Sequence, residues 1–195
     1  MEGTVETNRE ENQPRMPSQL VRSALEWAET IVTAVILVAV VFTFAARVIT
    51  VDGRSMEPTY YNGDRVLVTK WAGPAEQGDV VIVVGALDEP IIKRVIATEG
   101  QVVDFDPELG EVTVDGQVLS GSLFGIEDGI TYVPDLPGSV LEFPQTVPEG
   151  CVFVLGDNRD NSKDSRFVEV GMVDTRNLLG KVVFNLYPFS KIGLA

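Results

Sequence analysis

IVTAVILVAVVFTFAA occupies residues 31–46, sixteen residues with no charge and two threonines as the polar exceptions. With Trp27, Ala28, Glu29 and Thr30 before it and the aliphatic stem of Arg47 after it, the run reaches roughly the 20 residues needed to cross a bilayer as a helix. A core helix would carry polar residues at a 3.6 period, and this segment does not. A cleaved signal peptide is the nearer rival, because Thr43-Phe44-Ala45 resembles a small-x-small cleavage site. The region before it, however, is nearly thirty residues long and rich in Glu, unlike a short basic leader. The run is therefore read as a retained anchor over residues 28–46.

Outward toward the N-terminus, the first 23 residues are polar, carry Pro14 and Pro17, and read as a disordered tail, so residues 1–27 form an N-terminal tail. Charge counting leaves orientation open: Arg9, Arg15 and Arg22 precede the run, and Arg47, Arg54 and Arg65 follow it. Outward toward the C-terminus, short Val- and Ile-rich segments recur between Gly, Pro and Asp: Val48–Val51, Arg65–Lys70, Asp79–Val84, Ile91–Ala97, Gln101–Phe105, Val152–Leu155 and Lys181–Leu186. Residues 111–119 alternate as a hairpin does, with Asp115-Gly116 as its type I′ turn. Residues 133–150, rich in Pro and Gly, read as irregular or edge structure. The fold class is mainly β, a barrel or sandwich over residues 47–195, with about 104–150 as a small inserted β or cap segment.

Composition narrows the chemistry. The chain of 195 residues has 29 acidic and 15 basic side chains, a net charge of −14, no histidine and one cysteine. A Ser-His-Asp triad and a Cys-His pair are excluded. Cys151 alone makes neither an intramolecular disulfide nor a zinc site, and reads as a small core residue. The acidic balance argues against nucleic acid as partner. No cofactor and no metal is expected, and nothing fixes an oligomeric state.

Without histidine, a hydrolytic site needs a hydroxyl beside a carboxylate or a perturbed lysine. Lys93 lies among β-branched residues in Pro90-Ile-Ile-Lys-Arg-Val-Ile-Ala97, where desolvation would lower its pKa; an edge-strand lysine that discourages aggregation is the other reading. Ser55 sits in Gly53-Arg-Ser-Met-Glu-Pro-Thr59, a sharp turn after a strand, and is either an exposed nucleophile or an ordinary turn serine. Residues 156–166 (GDNRDNSKDSR) have no large apolar side chain and follow the apolar run 152–155. They read as a hydrogen-bond network or a solvated loop. Arg159, Lys163 and Phe167 spoil a calcium-loop pattern.

Taken in order after an anchor, Ser55-Met-x-Pro-Thr59, Lys93-Arg-Val95 and the string 156–166 resemble type I signal peptidases of the short, single-anchor Gram-positive kind. The resemblance implies a signal-peptidase-like β domain and a membrane-bound serine endopeptidase that removes signal peptides from exported preproteins after small-x-small sites. It implies Ser55 as nucleophile and Lys93 as general base, with Ser162 orienting the amine. Asp157, Asp164, Arg166 and Arg94 would hold the site, and Met56 would contact substrate. The oxyanion would be met by the Ser55 N–H, with Gly53 standing where some members carry a hydroxyl; Gly53→Ser is then expected to be tolerated or mildly activating. Ala97-Thr-Glu-Gly-Gln101 departs from the family's usual Gly-Leu-Pro-Gly-Asp. The substrate is expected to add as a strand near Val48–Val51 and Asp79–Val84. Trp71, Tyr60 and Tyr61 either touch the lipid interface or pack in the domain, two readings that stay open. A soluble self-cleaving repressor shares the Ser-Lys pairing but needs no anchor. A tethered, inactive binding module would have no need of Ser55, Lys93 and Ser162 together.

Overall fold

A computed structural model describes residues 19–106, 109, 111–119 and 139–195. The apolar run forms helix α1, Gln19–Ala45. Its 27 residues reach about 40 Å at 1.5 Å each. Within it Val21–Val40 has a mean hydropathy of 1.7, and none of that stretch is buried by protein. The helix starts earlier than the polar composition of residues 19–23 suggested. Gln, Leu, Arg, Ala and Glu are all good helix formers, and no proline follows Pro17 until Pro58. Residues 1–18 of the expected tail lie outside the described residues.

Residues 42–195 form one compact β unit. Its strands are β1 (Arg47–Thr50), β2 (Arg65–Thr69), β3 (Val80–Val83), β4 (Ile91–Thr98), β5 (Val102–Asp106), β6 (Glu111–Val114), β7 (Gln117–Val118), β8 (Gln145–Thr146), β9 (Cys151–Leu155), β10 (Val173–Asp174), β11 (Leu178–Tyr187) and β12 (Gly193–Leu194). Eight of them make one sheet in the order β1-β2-β11-β3-β4-β9-β10, with β12 paired to β11. The other four make a second sheet, β7-β6-β5-β8. Asp115 and Gly116, with φ of 53° and 75°, close the β6–β7 hairpin as a type I′ turn requires.

Burial explains the sequence pattern. β2 and β6 alternate because one face is covered, whereas all of β3 and all but the first and last residues of β4 are buried. One side of the large sheet packs Val66, Val68, Val80, Ile82, Ile92 and Val182 against Val51, Met56 and Tyr60. The other packs Val81, Val83, Val95, Val152 and Val154 against Val170 and Val173. The second sheet joins through Phe105, whose ring centroid lies 4.5 Å from Phe143 and 6.3 Å from Phe153. A fully buried apolar side chain such as Phe153 contributes roughly 1.5–3 kcal/mol.

One expectation needs correcting, and one open alternative is decided. β3 pairs with β11 on one side and β4 on the other, so Asp79–Val84 offers no edge for an added strand. Tyr60 is 4% exposed and belongs to the core, not to a lipid-facing surface. The departure at 97–101 still makes a formed turn: Gln101 Oε1 accepts from the Thr98 N–H at 2.9 Å. Part of the segment 104–150, including 120–138, lies outside the described residues.

Candidate active site

The loop from Val51 to Asp64 leaves β1 and returns into β2. The Val51 N–H donates to Asp64 O at 2.8 Å, and the Gly63 N–H to Val51 O at 2.9 Å, which closes its neck. Val51, Met56 and Tyr60 anchor it in the core, at 3%, 1% and 4% exposure. Ser55 lies at the bend between these anchors.

Lys93 projects from β4, an interior strand flanked by β3 and β9. It is not an edge-strand lysine, and it is 2% exposed. Its Nζ lies 2.8 Å from Ser55 Oγ and 2.8 Å from the Ile92 carbonyl oxygen. Burial pushes the amine down from its ordinary value to about 8. The charges of Asp164 and Asp157 work against that shift, and Arg166 adds to it. An ammonium donates to Ser55 Oγ across this contact. Once neutral, the same nitrogen accepts the hydroxyl proton.

The polar string 156–166 closes the site from the other side through two ion pairs. Arg94 grips Asp157 with two parallel bonds, Nε to Oδ1 at 2.8 Å and Nη2 to Oδ2 at 2.7 Å, and Thr59 Oγ1 donates to the same Oδ2 at 2.6 Å. Arg166 pairs with Asp164 through Nε at 2.9 Å and Nη2 at 3.0 Å, both residues 1% exposed or less. Asp164 Oδ2 also accepts from the Gly156 N–H at 3.0 Å. The Asn158 N–H donates to Ser55 O at 3.0 Å, joining the two loops directly. A Cβ on Gly156 would stand 2.2 Å from Ser162 Oγ and 2.5 Å from Ser55 O, so the two loops meet where only glycine fits.

A family model for signal peptidase, peptidase S26, matches residues 24–187. Signal peptidase I S of Bacillus subtilis (strain 168) is 33% identical over 178 residues, covering 88% of this chain and 93% of that protein. Signal peptidase IB of Staphylococcus aureus (strain COL) is 33% identical over 180 residues, covering 87% and 93%. The chain belongs to the signal peptidase I family. A crystal structure of a signal peptidase I from Enterococcus faecalis V583 is also similar, at 25% identity with a TM-score of 0.41, over 57% of this chain and 98% of that one. The family's activity is removal of signal peptides by a Ser-Lys protease site, and this chain is a serine endopeptidase of that kind. Its single described apolar helix makes it a membrane-anchored, single-pass peptidase. Its substrates are preproteins that carry signal peptides.

The peptidase brings Ser55, Lys93, Arg94, Asp157, Ser162, Asp164 and Arg166 into one cluster. Three sequence expectations are altered. Ser162 Oγ is buried but makes no hydrogen bond to the amine or to any other described group. The Gly53 N–H donates to Asn62 Oδ1 at 3.0 Å, so it is occupied and not free for an oxyanion. The Ser55 N–H has no acceptor among the described residues. The Met56 side chain turns inward, packed with the core.

Sequence reading missed Thr59, Asn62, Gly156 and Asn158 as members of the site. Thr59 and Gly156 stand inside the motifs quoted for it, but their roles depend on partners 98 residues away and on a close approach that composition does not encode. Arg159 belongs to the same string, but sequence reading gives it no partner of its own. Its Nε donates to Gly156 O at 3.1 Å, and its carbonyl accepts from Arg166 Nη2 at 2.7 Å.

Proposed function

We propose that Ser55 is the nucleophile and Lys93 the general base of this peptidase. The observation that carries the reading is the 2.8 Å contact between Ser55 Oγ and a buried lysine amine whose pKa is lowered to about 8. Neutral Lys93 takes the Ser55 proton as Oγ adds to the scissile carbonyl carbon. The Ser55 N–H faces the developing oxyanion. Collapse breaks the C–N bond, and the Lys93 ammonium gives its proton to the leaving amine. Lys93 then deprotonates the water that hydrolyses the acyl-enzyme. Asp157, Asp164, Arg94 and Arg166 act as positioning residues by fixing the two loops against β4, and Ser162 packs beside them.

The substrate is read as an extended signal segment ending in a small-x-small site. β1 favours this, because it is the sheet's terminal strand and runs directly into the loop that carries Ser55. Residues 1–27 are assigned to the cytoplasm, 28–46 to the bilayer and 47–195 to the extracytoplasmic side, with about 104–150 as a cap. The β unit works against membrane lipid, with exposed Trp71 and Tyr61 as its contacts.

The test is preprotein cleavage in vesicles by wild type, Ser55→Ala and Lys93→Ala. Both variants are expected to lose activity by at least about 10³-fold. The wild-type rate is expected to rise with pH through about 8 and then level off, because the ammonium form below that pH cannot accept the serine proton. Full activity in either variant, or a flat profile, overturns the assignment.

A further inference from the structure

Four of the eight cations of the β unit outside the catalytic cluster have an anionic partner: Arg54 pairs with Glu57, Lys163 with Glu169, Arg176 with Asp174 and Lys181 with Asp79. Of the rest, Lys191 lies over the Tyr61 ring and donates to Thr59 O, and Arg65 lies outside the cleft considered next. Arg47 and Lys70 are exposed, and neither has an ion-pair partner among the described residues. Both line one cleft of about 150 Å³, together with Trp71, Ala46, Val68, Thr69 and Leu179. No carboxylate lines it. In a chain of net charge −14, two uncompensated cations facing one small cleft are a local reversal of sign.

Chain connectivity puts one wall of this cleft just after the apolar helix. Arg47 stands two residues beyond the end of α1 and opens β1. The β1–β2 register sets Arg47 opposite Val68, which brings the turn at Lys70 and Trp71 alongside. The Trp71 N–H donates to Thr69 Oγ1 at 3.1 Å, fixing that turn, while the Trp71 side chain stays 81% exposed. An exposed indole between two free cations, next to a bilayer-crossing segment, has the chemistry of a headgroup site. At about 150 Å³ the cleft has room for a small charged group.

We propose that the cleft of Arg47, Lys70 and Trp71 binds the headgroup of an anionic phospholipid. This rests on the reading that the β unit works against lipid, and adds a specific subsite to it. The site docks the sheet to the membrane beside β1, the strand that leads to Ser55. Arg176 and Lys181 lie in an adjoining cleft that shares Thr69 and Lys70, but their charges are held by Asp174 and Asp79, so the subsite does not need them.

The chain has two tryptophans, so Trp27→Phe leaves Trp71 as the single reporter in the full-length protein. That protein is reconstituted in phosphatidylcholine vesicles with and without phosphatidylglycerol, each holding a trace of headgroup-spin-labelled lipid. Trp71 quenching is expected to increase with phosphatidylglycerol, and the increment to fall with added salt. Lys70→Gln is expected to raise the phosphatidylglycerol content needed for half-maximal quenching about 5-fold, and Arg47→Gln to do the same, with far-UV circular dichroism confirming the fold of each variant. Equal quenching in both lipids, unchanged by either variant, overturns the subsite while leaving lipid contact standing. No quenching in either lipid overturns both. A Trp71 response to inorganic phosphate in detergent equal to that with phosphatidylglycerol overturns the lipid assignment.

Discussion

The two loops that meet at Ser55 are held by different physics. Residues 51–64 hang from apolar anchors, and their ion pair, Arg54 with Glu57, lies at the surface with the Arg54 side chain 69% exposed. Residues 156–166 carry no large apolar group, and their pair, Asp164 with Arg166, is dry. An apolar-anchored loop can hold a hydroxyl out toward substrate without surrounding it with charge. A loop folded on buried charge can press close to Lys93 and adjust its proton affinity from both directions. The site needs both, because a serine must be reachable and its base must be desolvated.

The largest expected difference between the loops is in stability. Arg166→Ala leaves the Asp164 carboxylate buried without its cation, a loss of about 3–5 kcal/mol. Glu57→Ala removes a solvent-screened pair and is expected to change stability by less than about 1 kcal/mol. Thermal unfolding of the full chain in detergent measures both. Equal losses would erase the distinction between a charge-built and an apolar-built loop.

The sequence carries these two constructions unequally. Apolar positions announce themselves, so β1 to β4, the β6–β7 hairpin and β9 were legible within one or two residues, and β11 was found but three residues too short at its start. The two-residue strands β8, β10 and β12 have too few positions to show a period. Whether Lys93 lies on an edge or in the interior depends on β9, more than fifty residues further along, and local pattern cannot decide it. The polar network was legible as a set of residue types through its resemblance to a family. Its pairing was not, because Arg94 and Asp157 stand 63 residues apart.

A smaller, local effect sharpens the comparison at the point where the loops touch. Gly156→Ala would put a methyl group 2.5 Å from the Ser55 carbonyl oxygen, a backbone atom that cannot swing aside as a side chain does. Relief requires Ser55 to shift relative to Lys93. Misplacement of reacting groups by about 1 Å lowers rates roughly 10²-fold, so kcat/KM is expected to fall by that order. The fall should appear in kcat, since the edge of β1 that receives substrate is not displaced. An unchanged kcat would mean that the loops yield without moving the nucleophile.

Gly53 gives the smallest effect, and its backbone argues for tolerance over the mild activation that the sequence also allowed. Nothing lies within 4 Å of a Cβ built there, so a serine side chain has room. The backbone is the obstacle: φ is +89°, a region that side-chain-bearing residues enter at a penalty of about 1–2 kcal/mol. The strain falls on a surface bend whose anchors, Val51 and Met56, stay in the core. Gly53→Ser is therefore expected to lower the unfolding temperature by a few degrees and the cleavage rate by less than about 10-fold. The Gly53 N–H is already held by Asn62, and any hydroxyl gained must reach the oxyanion from a strained bend. A Gly53→Ser enzyme with an unchanged unfolding temperature and a faster rate would show that the bend relaxes without penalty, and that the apolar-anchored loop is softer than its closed neck implies.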